Sequence, residues 1–371
     1  LKNLNYIENI FLENREFNQR VISFINCYLS TQFMGRSAFL PNQRFRPSVE
    51  ESYNYCEYIV KRSSTSFARS FKSLPNKKRN AVNALYAFCR RVDDIVDGDW
   101  LPEIETNSVF ENKTKLKISE LKNKYGHSKE YSDDDLNERI RALLWYRERL
   151  DVLESKPKSL KDPIFVALAD SIEKYPIDID NLRQLILGME EDLFHTGCQT
   201  YDEMYSYCRK VASSVGLCLI EIYGYQGDDA PKFAEDMGIF LQMVNILRDI
   251  EEDYKRGRSY LPLDELKSYG IDFENLMGAP LLNSKNWKKF ISDFLKEIQK
   301  FRNSAMKLIP LLSNDSQFSP RLMCEVYDAI LKEANRREGD IISNKLKLGF
   351  ASKISFALAS FGVRLNHSEW I

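Results

Sequence analysis

Between residues 241 and 253 the chain reads LQMVNILRDIEED, an apolar start that runs directly into acid. Asn245, Asp249 and Asp253 recur every four residues, so in a helix they form one stripe of side-chain oxygens. Gln242 lies three residues before Asn245 and extends the stripe, while Leu241, Met243, Val244 and Ile246 surround its start. A helix that begins in a core and carries an amide and two carboxylates on one face is costly unless those oxygens are satisfied. Metal ions and substrate oxygens would satisfy them.

A second run, NAVNALYAFCRRVDDIV from Asn80 to Val96, places Val82, Leu85, Phe88 and Cys89 at helical spacing, with no breaker before Gly98. Asp93 and Asp97 project from one face of it and repel each other by a few tenths of a kcal/mol in an isolated helix. A bridging divalent cation removes that conflict, and an oxygen-only ligand set suits Mg²⁺, with Mn²⁺ as a substitute. On this motif alone an acidic, solvated helix end is an open alternative. Taken together, two acidic stripes can hold a metal cluster that grips a diphosphate as a leaving group. Arg90, Arg91, Arg248, Arg256 and Arg258 lie beside them and are suited to phosphate oxygens, salt bridges to neighbouring helices being their competing role.

The remaining sequence predicts an all-α chain. Amphipathic helices are expected over Leu136–Leu153, Ile179–Phe194, Thr200–Tyr223, Ala230–Arg256, Trp287–Ile309 and Ser319–Lys345, and alternating strand patterns are nearly absent. Residues 1–50 are expected to form an N-terminal extension and residues 51–371 a single domain. Within it, the polar stretch 98–135 reads as a mobile loop or insertion. A net charge of −1 argues against nucleic acid as a partner. Seven dispersed cysteines without a CxxC pair, and three histidines without HExxH, argue against disulfide frameworks and zinc sites. These features point to the cytoplasm; the chain starts with Leu1 rather than Met, which leaves organelle targeting open.

Five ordered stretches resemble the squalene/phytoene synthase family over roughly residues 52–365. They are SSTSFARSFKSLP (63–75), RNAVNALYAFCRRVDDIVD (79–97), GMEEDL (188–193), TYDEMYSYCRKVASSVGL (200–217) and LQMVNILRDIEEDYKRGRSYLP (241–262). The resemblance implies an isoprenoid synthase fold, a helical bundle around a deep central cavity. It also implies Mg²⁺-dependent head-to-head joining of two prenyl diphosphates through a cyclopropyl diphosphate. By position, Asp93, Asp97, Asn245, Asp249 and Asp253 would be the metal and diphosphate ligands, with Gln242 in the same site. Ser66, Arg90, Arg248 and Tyr327 would contact diphosphate, Tyr86 and Tyr207 would act as cavity tyrosines, and Phe67, Phe71, Val211, Ala212, Val215, Leu217 and Leu241 would line the wall. The chain departs from the family pattern at Thr65, at Ser213 and at Gly197-Cys198, none of which is an expected metal ligand.

The VASxVGL pattern followed by IEIYGY resembles C30 enzymes that use farnesyl diphosphate, and LPLDEL resembles phytoene synthases, which use geranylgeranyl diphosphate to make a C40 product. A C30 product is the favoured expectation, with NADPH needed only if squalene is released. Head-to-tail prenyltransferases and class I cyclases would share the aspartates but not the Ser-Phe and YCRKVAS segments; a non-catalytic assembly factor would be expected to lose the aspartates. A water-insoluble product predicts peripheral membrane contact near the C-terminal stretch Leu348–Val363. Flotation with liposomes should carry the protein into the lipid fraction, and recovery entirely in the lipid-free fraction would count against that contact.

Overall fold

The computed structural model describes residues 46–63, 70–104, 107–128, 130–275, 284–337 and 339–341. Among these residues the architecture is all helical, without strands, and only isolated bridges join Gly197 to Ser259 and Tyr225 to Leu312. In chain order the helices are α1 (Val49–Ser63), α2 (Asn76–Asp97), α3 (Ser108–Tyr125), α4 (Asp133–Ser155), α5 (Pro163–Lys174) and α6 (Ile179–Asp192). They continue with α7 (Tyr201–Cys208), a π turn (Arg209–Ser213), α8 (Ser214–Tyr223), α9 (Ala230–Lys255), α10 (Leu263–Ser268), α11 (Lys285–Ala305) and α12 (Phe318–Arg336). None of them is long and apolar enough to cross a membrane.

Helices α2 and α9 are the axis of the bundle. The apolar face of α2 buries Leu85, Phe88, Val92 and Ile95 completely, packed against α1, α5, α6 and α8. Helix α9 buries Phe240, Met243, Val244 and Leu247 against the π turn, α8 and α11. Both helices therefore reach the centre with their apolar sides anchored and one polar side left over. Gly98 stops α2 one residue after Asp97: its φ of 76° is one that residues with a Cβ rarely adopt, and the chain closes with Asp99 N–H donating to the Asp94 carbonyl at 2.9 Å.

Two expected boundaries change. The stretch 98–135, expected as a mobile loop, holds the 18-residue helix α3, capped by the Asn107 side chain accepting from Phe110 N–H at 2.9 Å. Its buried face is Phe110, Thr114 and Leu121, whereas Val109 and Leu116 point to solvent at 66% exposure each. That distribution weakens the helical period, which is why the segment reads as loop in sequence. Lys117 and Lys124 pin it to Glu190 and Glu191 on α6 at 3.3 and 3.1 Å. The last expected helix, Ser319–Lys345, instead ends at Arg336, with Gly339 at φ 96° just beyond. Helices α1 and α5 were absent from the expected set; α1 crosses the assigned edge of the N-terminal extension. Leu348–Val363 lies outside the described residues.

The π turn is the most constrained joint in this scaffold. The stretch expected as one helix from Thr200 to Tyr223 is continuous, but at Arg209–Ser213 it widens to i→i+5 hydrogen bonding. Two glycines let neighbouring helices come close enough to hold it. A Cβ on Gly238 of α9 would stand 2.5 Å from the Ser213 backbone N and Cα, and one on Gly188 of α6 would stand 2.8 Å from Val211 Cγ1. Backbone cannot yield as a flexible side chain can. Gly238→Ala should therefore cost about 1–3 kcal/mol, read as a lower urea midpoint at unchanged slope; an unchanged midpoint would show that the contact is slack.

Candidate active site

The leftover polar sides of α2 and α9 face each other across a cavity of about 440 Å³. From α2 come Tyr86, Cys89, Arg90, Asp93, Val96 and Asp97; from α9 come Gln242, Asn245, Ile246, Arg248, Asp249 and Asp253. Helix α6 adds Leu185, Met189 and Asp192, while α7 adds Tyr207, the π turn Val211 and α8 Val215. The wall is thus divided. Part of the lining is carboxylates and arginines, and part is Leu, Met, Val and Ile side chains.

The acidic end is strained electrostatically. Burial, reinforced by Asp97, pushes the Asp93 carboxyl up to about 6, although 44% of the side chain is reachable from the cavity. Burial, reinforced by Asp249 and then Asp192, pushes Asp253 up to about 7. Arginines offset part of this. Arg90 spans Asp93 at 2.8 Å and Asp94 at 2.6 Å, and Arg248 grips both oxygens of Asp249, one of them through an Nε–Oδ1 contact of 2.9 Å. Arg256, half exposed at the rim, reaches from the end of α9 towards Asp97 at 3.7 Å. Asn245 donates to Gln242 at 3.3 Å, but its own carbonyl oxygen is buried without a hydrogen-bond partner.

These observations fit a hard cation. The available donors are all oxygens, two carboxyls are raised by burial and by neighbouring carboxylates, and one buried amide oxygen is unsatisfied. Among the described residues no three His, Cys, Asp or Glu side chains could hold a metal by themselves. Each wall would supply only part of a coordination shell, a division suited to Mg²⁺, which keeps waters and phosphate oxygens as ligands.

A second polar cluster closes the cavity beside the aspartates. Arg258, buried, is held by Asp192 at 2.9 Å and Glu130 at 2.6 Å, and Tyr260 donates a short hydrogen bond to Asp192. The Tyr207 ring stacks on Tyr260 with centroids 4.6 Å apart, and His195 lies parallel to Tyr207 at 6.3 Å. Burial, then Asp192 and Tyr260, raise the Tyr207 phenol well above its ordinary range, so it remains a proton donor. Burial likewise lowers His195, favouring the neutral ring.

Most of the expected site residues meet here: Tyr86, Arg90, Asp93, Asp97, Tyr207, Val211, Gln242, Asn245, Arg248, Asp249 and Asp253 all line one cavity. Ala212 and Tyr327 do not. Ala212 sits in the π turn away from the lining, and Tyr327 is buried behind Asn245 and Arg248, its ring edge-on to Phe240 at 6.3 Å. Phe71 packs against Tyr86 from outside, and Leu217 and Leu241 are also absent from the lining. Ser66 and Phe67 lie outside the described residues. Sequence reasoning missed Asp192, Tyr260, Leu185 and Met189. The spacing 185, 189, 192 places three of these on one helical face, and that signal was present in the chain.

Comparison with known proteins gives a consistent family. The squalene/phytoene synthase family profile matches residues 60–352. A phytoene synthase of Mycobacterium tuberculosis is 34% identical over 223 residues, 60% of this chain and 61% of that protein, so this chain spans less than two thirds of its length. Phytoene synthase 1 of Zea mays is 27% identical over 326 residues, covering 86% of this chain and 70% of that protein. Among solved structures, a dehydrosqualene synthase superposes with a TM-score of 0.66 at 24% identity, covering 85% of this chain and 96% of the other. A squalene synthase from Alicyclobacillus acidocaldarius gives 0.63 at 20% identity, covering 78% and 95%. At those identities the structural likeness establishes the fold, the all-α isoprenoid synthase architecture.

If the carboxylates are held together against repulsion, Asp253→Asn should raise the Tm of the metal-free protein by about 2 °C. The same variant should bind Mn²⁺ at least about tenfold more weakly by electron paramagnetic resonance titration. A variant no more stable than wild type and equally avid for Mn²⁺ would remove Asp253 from the site.

Proposed function

The chain belongs to the squalene/phytoene synthase family, and from that premise we propose that it joins two prenyl diphosphates head to head through a cyclopropyl diphosphate. The observation that carries this is the convergence of two aspartate helices on one cavity that is also lined by Leu185, Met189, Val211, Val215 and Ile246. Mg²⁺, bound between Asp93/Asp97 and Asn245/Asp249/Asp253, would neutralise the diphosphate leaving group. Arg90, Arg248 and Arg256 present guanidinium groups at the same end for phosphate oxygens. Leu185, Met189, Val211, Val215 and Ile246 offer the prenyl chain a dry wall, where an allylic cation is shielded from water. The Tyr207 and Tyr260 rings face the same space and can stabilise positive charge through their π faces.

The relatives similar in sequence that are named phytoene synthases favour geranylgeranyl diphosphate as substrate and a C40 product. The VASxVGL and IEIYGY segments favour farnesyl diphosphate and a C30 product. NADPH enters only if the C30 product is squalene.

Incubation with Mg²⁺ and either substrate, with and without NADPH, followed by hydrocarbon analysis, separates these outcomes. Asp93→Asn and Asp249→Asn should each lower kcat by about 100-fold or more. No product from either diphosphate would overturn the proposal, and full turnover in both variants would overturn the metal assignment.

A further inference from the structure

Asp94 has no place in the cavity lining, yet it touches the arginine that does. Its carboxylate is nearly buried on the flank of α2 and serves two guanidinium groups at once. Oδ1 accepts from Arg90 at 2.6 Å, and Oδ2 accepts from Arg91 at 3.1 Å. Arg91 is itself immobilised, lying over the Trp100 ring at 4.7 Å and donating to the Tyr55 hydroxyl at 3.2 Å. Trp100 is buried, and its backbone N–H donates to the Asp94 carbonyl at 3.2 Å. A chain of fixed contacts thus runs from Tyr55 and Trp100 through Arg91 and Asp94 to Arg90.

Arg90 has a second carboxylate, Asp93 at 2.8 Å, but that one belongs to the site. A cation held by Asp93 would compete with Arg90 for the same carboxylate and loosen that pair. Asp99, at 3.9 Å and largely exposed, is a weak substitute. Asp94 is the partner that remains, and it holds Nη2 of a planar fork whose Nη1 is paired with Asp93.

We propose that Asp94 is a positioning residue: anchored by Arg91, it fixes the Arg90 guanidinium so that its free edge meets a substrate diphosphate when Asp93 is engaged elsewhere. This rests on the diphosphate function proposed above. The competing account is an ordinary ion pair along the helix surface, with no effect on ligand geometry. The two accounts differ in sign. As a mere negative charge beside Arg90, Asp94 opposes anion binding, so its removal should tighten it; as a positioning residue, its removal should loosen it.

The experiment is calorimetric titration of the full chain with inorganic pyrophosphate in Mg²⁺. Asp94→Asn should weaken binding about tenfold, the scale of one hydrogen bond to a charged group. Arg90→Lys, which lacks the fork, should weaken it as well, and the Arg90→Lys/Asp94→Asn double variant should be no weaker than Arg90→Lys alone. If Asp94→Asn does not fold, Asp94→Glu carries the same test: it retains the charge but displaces the carboxylate, so weaker binding that vanishes in the Arg90→Lys background supports positioning. Unchanged or tighter binding after either Asp94 substitution overturns the inference. So does an equal loss in the Arg90→Lys background, which marks general structural damage. A wild-type protein that binds no pyrophosphate overturns the diphosphate function itself, and the inference with it.

Discussion

Asp93 and Asp97 on one helix, and Asp249 and Asp253 on another, bring like charges into a confined space, and the surrounding structure is arranged to withstand their repulsion. Charges in a cavity are poorly screened, so Asp93 and Asp253 drift towards protonation. The helices cannot relax apart because their opposite faces are locked by fully buried Leu85, Phe88 and Ile95 on α2 and Phe240, Met243 and Leu247 on α9. Apolar packing holds the acids in place, and arginines make the arrangement tolerable without cancelling it. What is left over is an affinity for positive charge.

The arginines are graded in freedom. Arg258 is wedged between Asp192 and Glu130 and braces the wall. Arg90 and Arg248 are committed to carboxylates of the site. Arg256 touches Asp97 only distantly and is half exposed. Such a gradient, from fixed to loosely held, lets a polyanionic ligand displace the outer cations' partners in turn while the inner ones keep the walls in register.

The acidic stripes were legible in the sequence because the four-residue period is a property of the helix itself. Asn245, Asp249 and Asp253 needed only that α9 be helical to share a face. The same holds for Tyr86, Arg90, Asp93 and Asp97 on α2. The cluster of Asp192, Arg258, Tyr260 and Glu130 was not legible, because it joins three chain segments through tertiary packing, and two of those residues follow the end of α9. Helix α3 was hidden for a different reason. Its exposed Val109 and Leu116 and its buried Thr114 blur the period that reveals an amphipathic helix, and its position depends on lysines pairing with Glu190 and Glu191. Tyr327 shows the limit of position-by-position transfer: the residue is present at the expected place, but it stands behind the wall instead of in it.

The widened turn at Arg209–Ser213 sets how the tyrosine end and the apolar end of one element are phased. Tyr207, Val211 and Val215 are spaced by four, and in a uniform α-helix each would be rotated about 40° from the last. The turn with i→i+5 bonding takes up part of that drift, so all three look into the same space. A turn with i→i+5 bonding holds about one residue more than an α turn, so a single residue removed there would restore α geometry with the helices on either side still in phase. The five residues between Cys208 and Ser214 therefore work as a phase adjuster, taking one residue more than an α turn would hold while the side chains on either side stay aimed at one cavity.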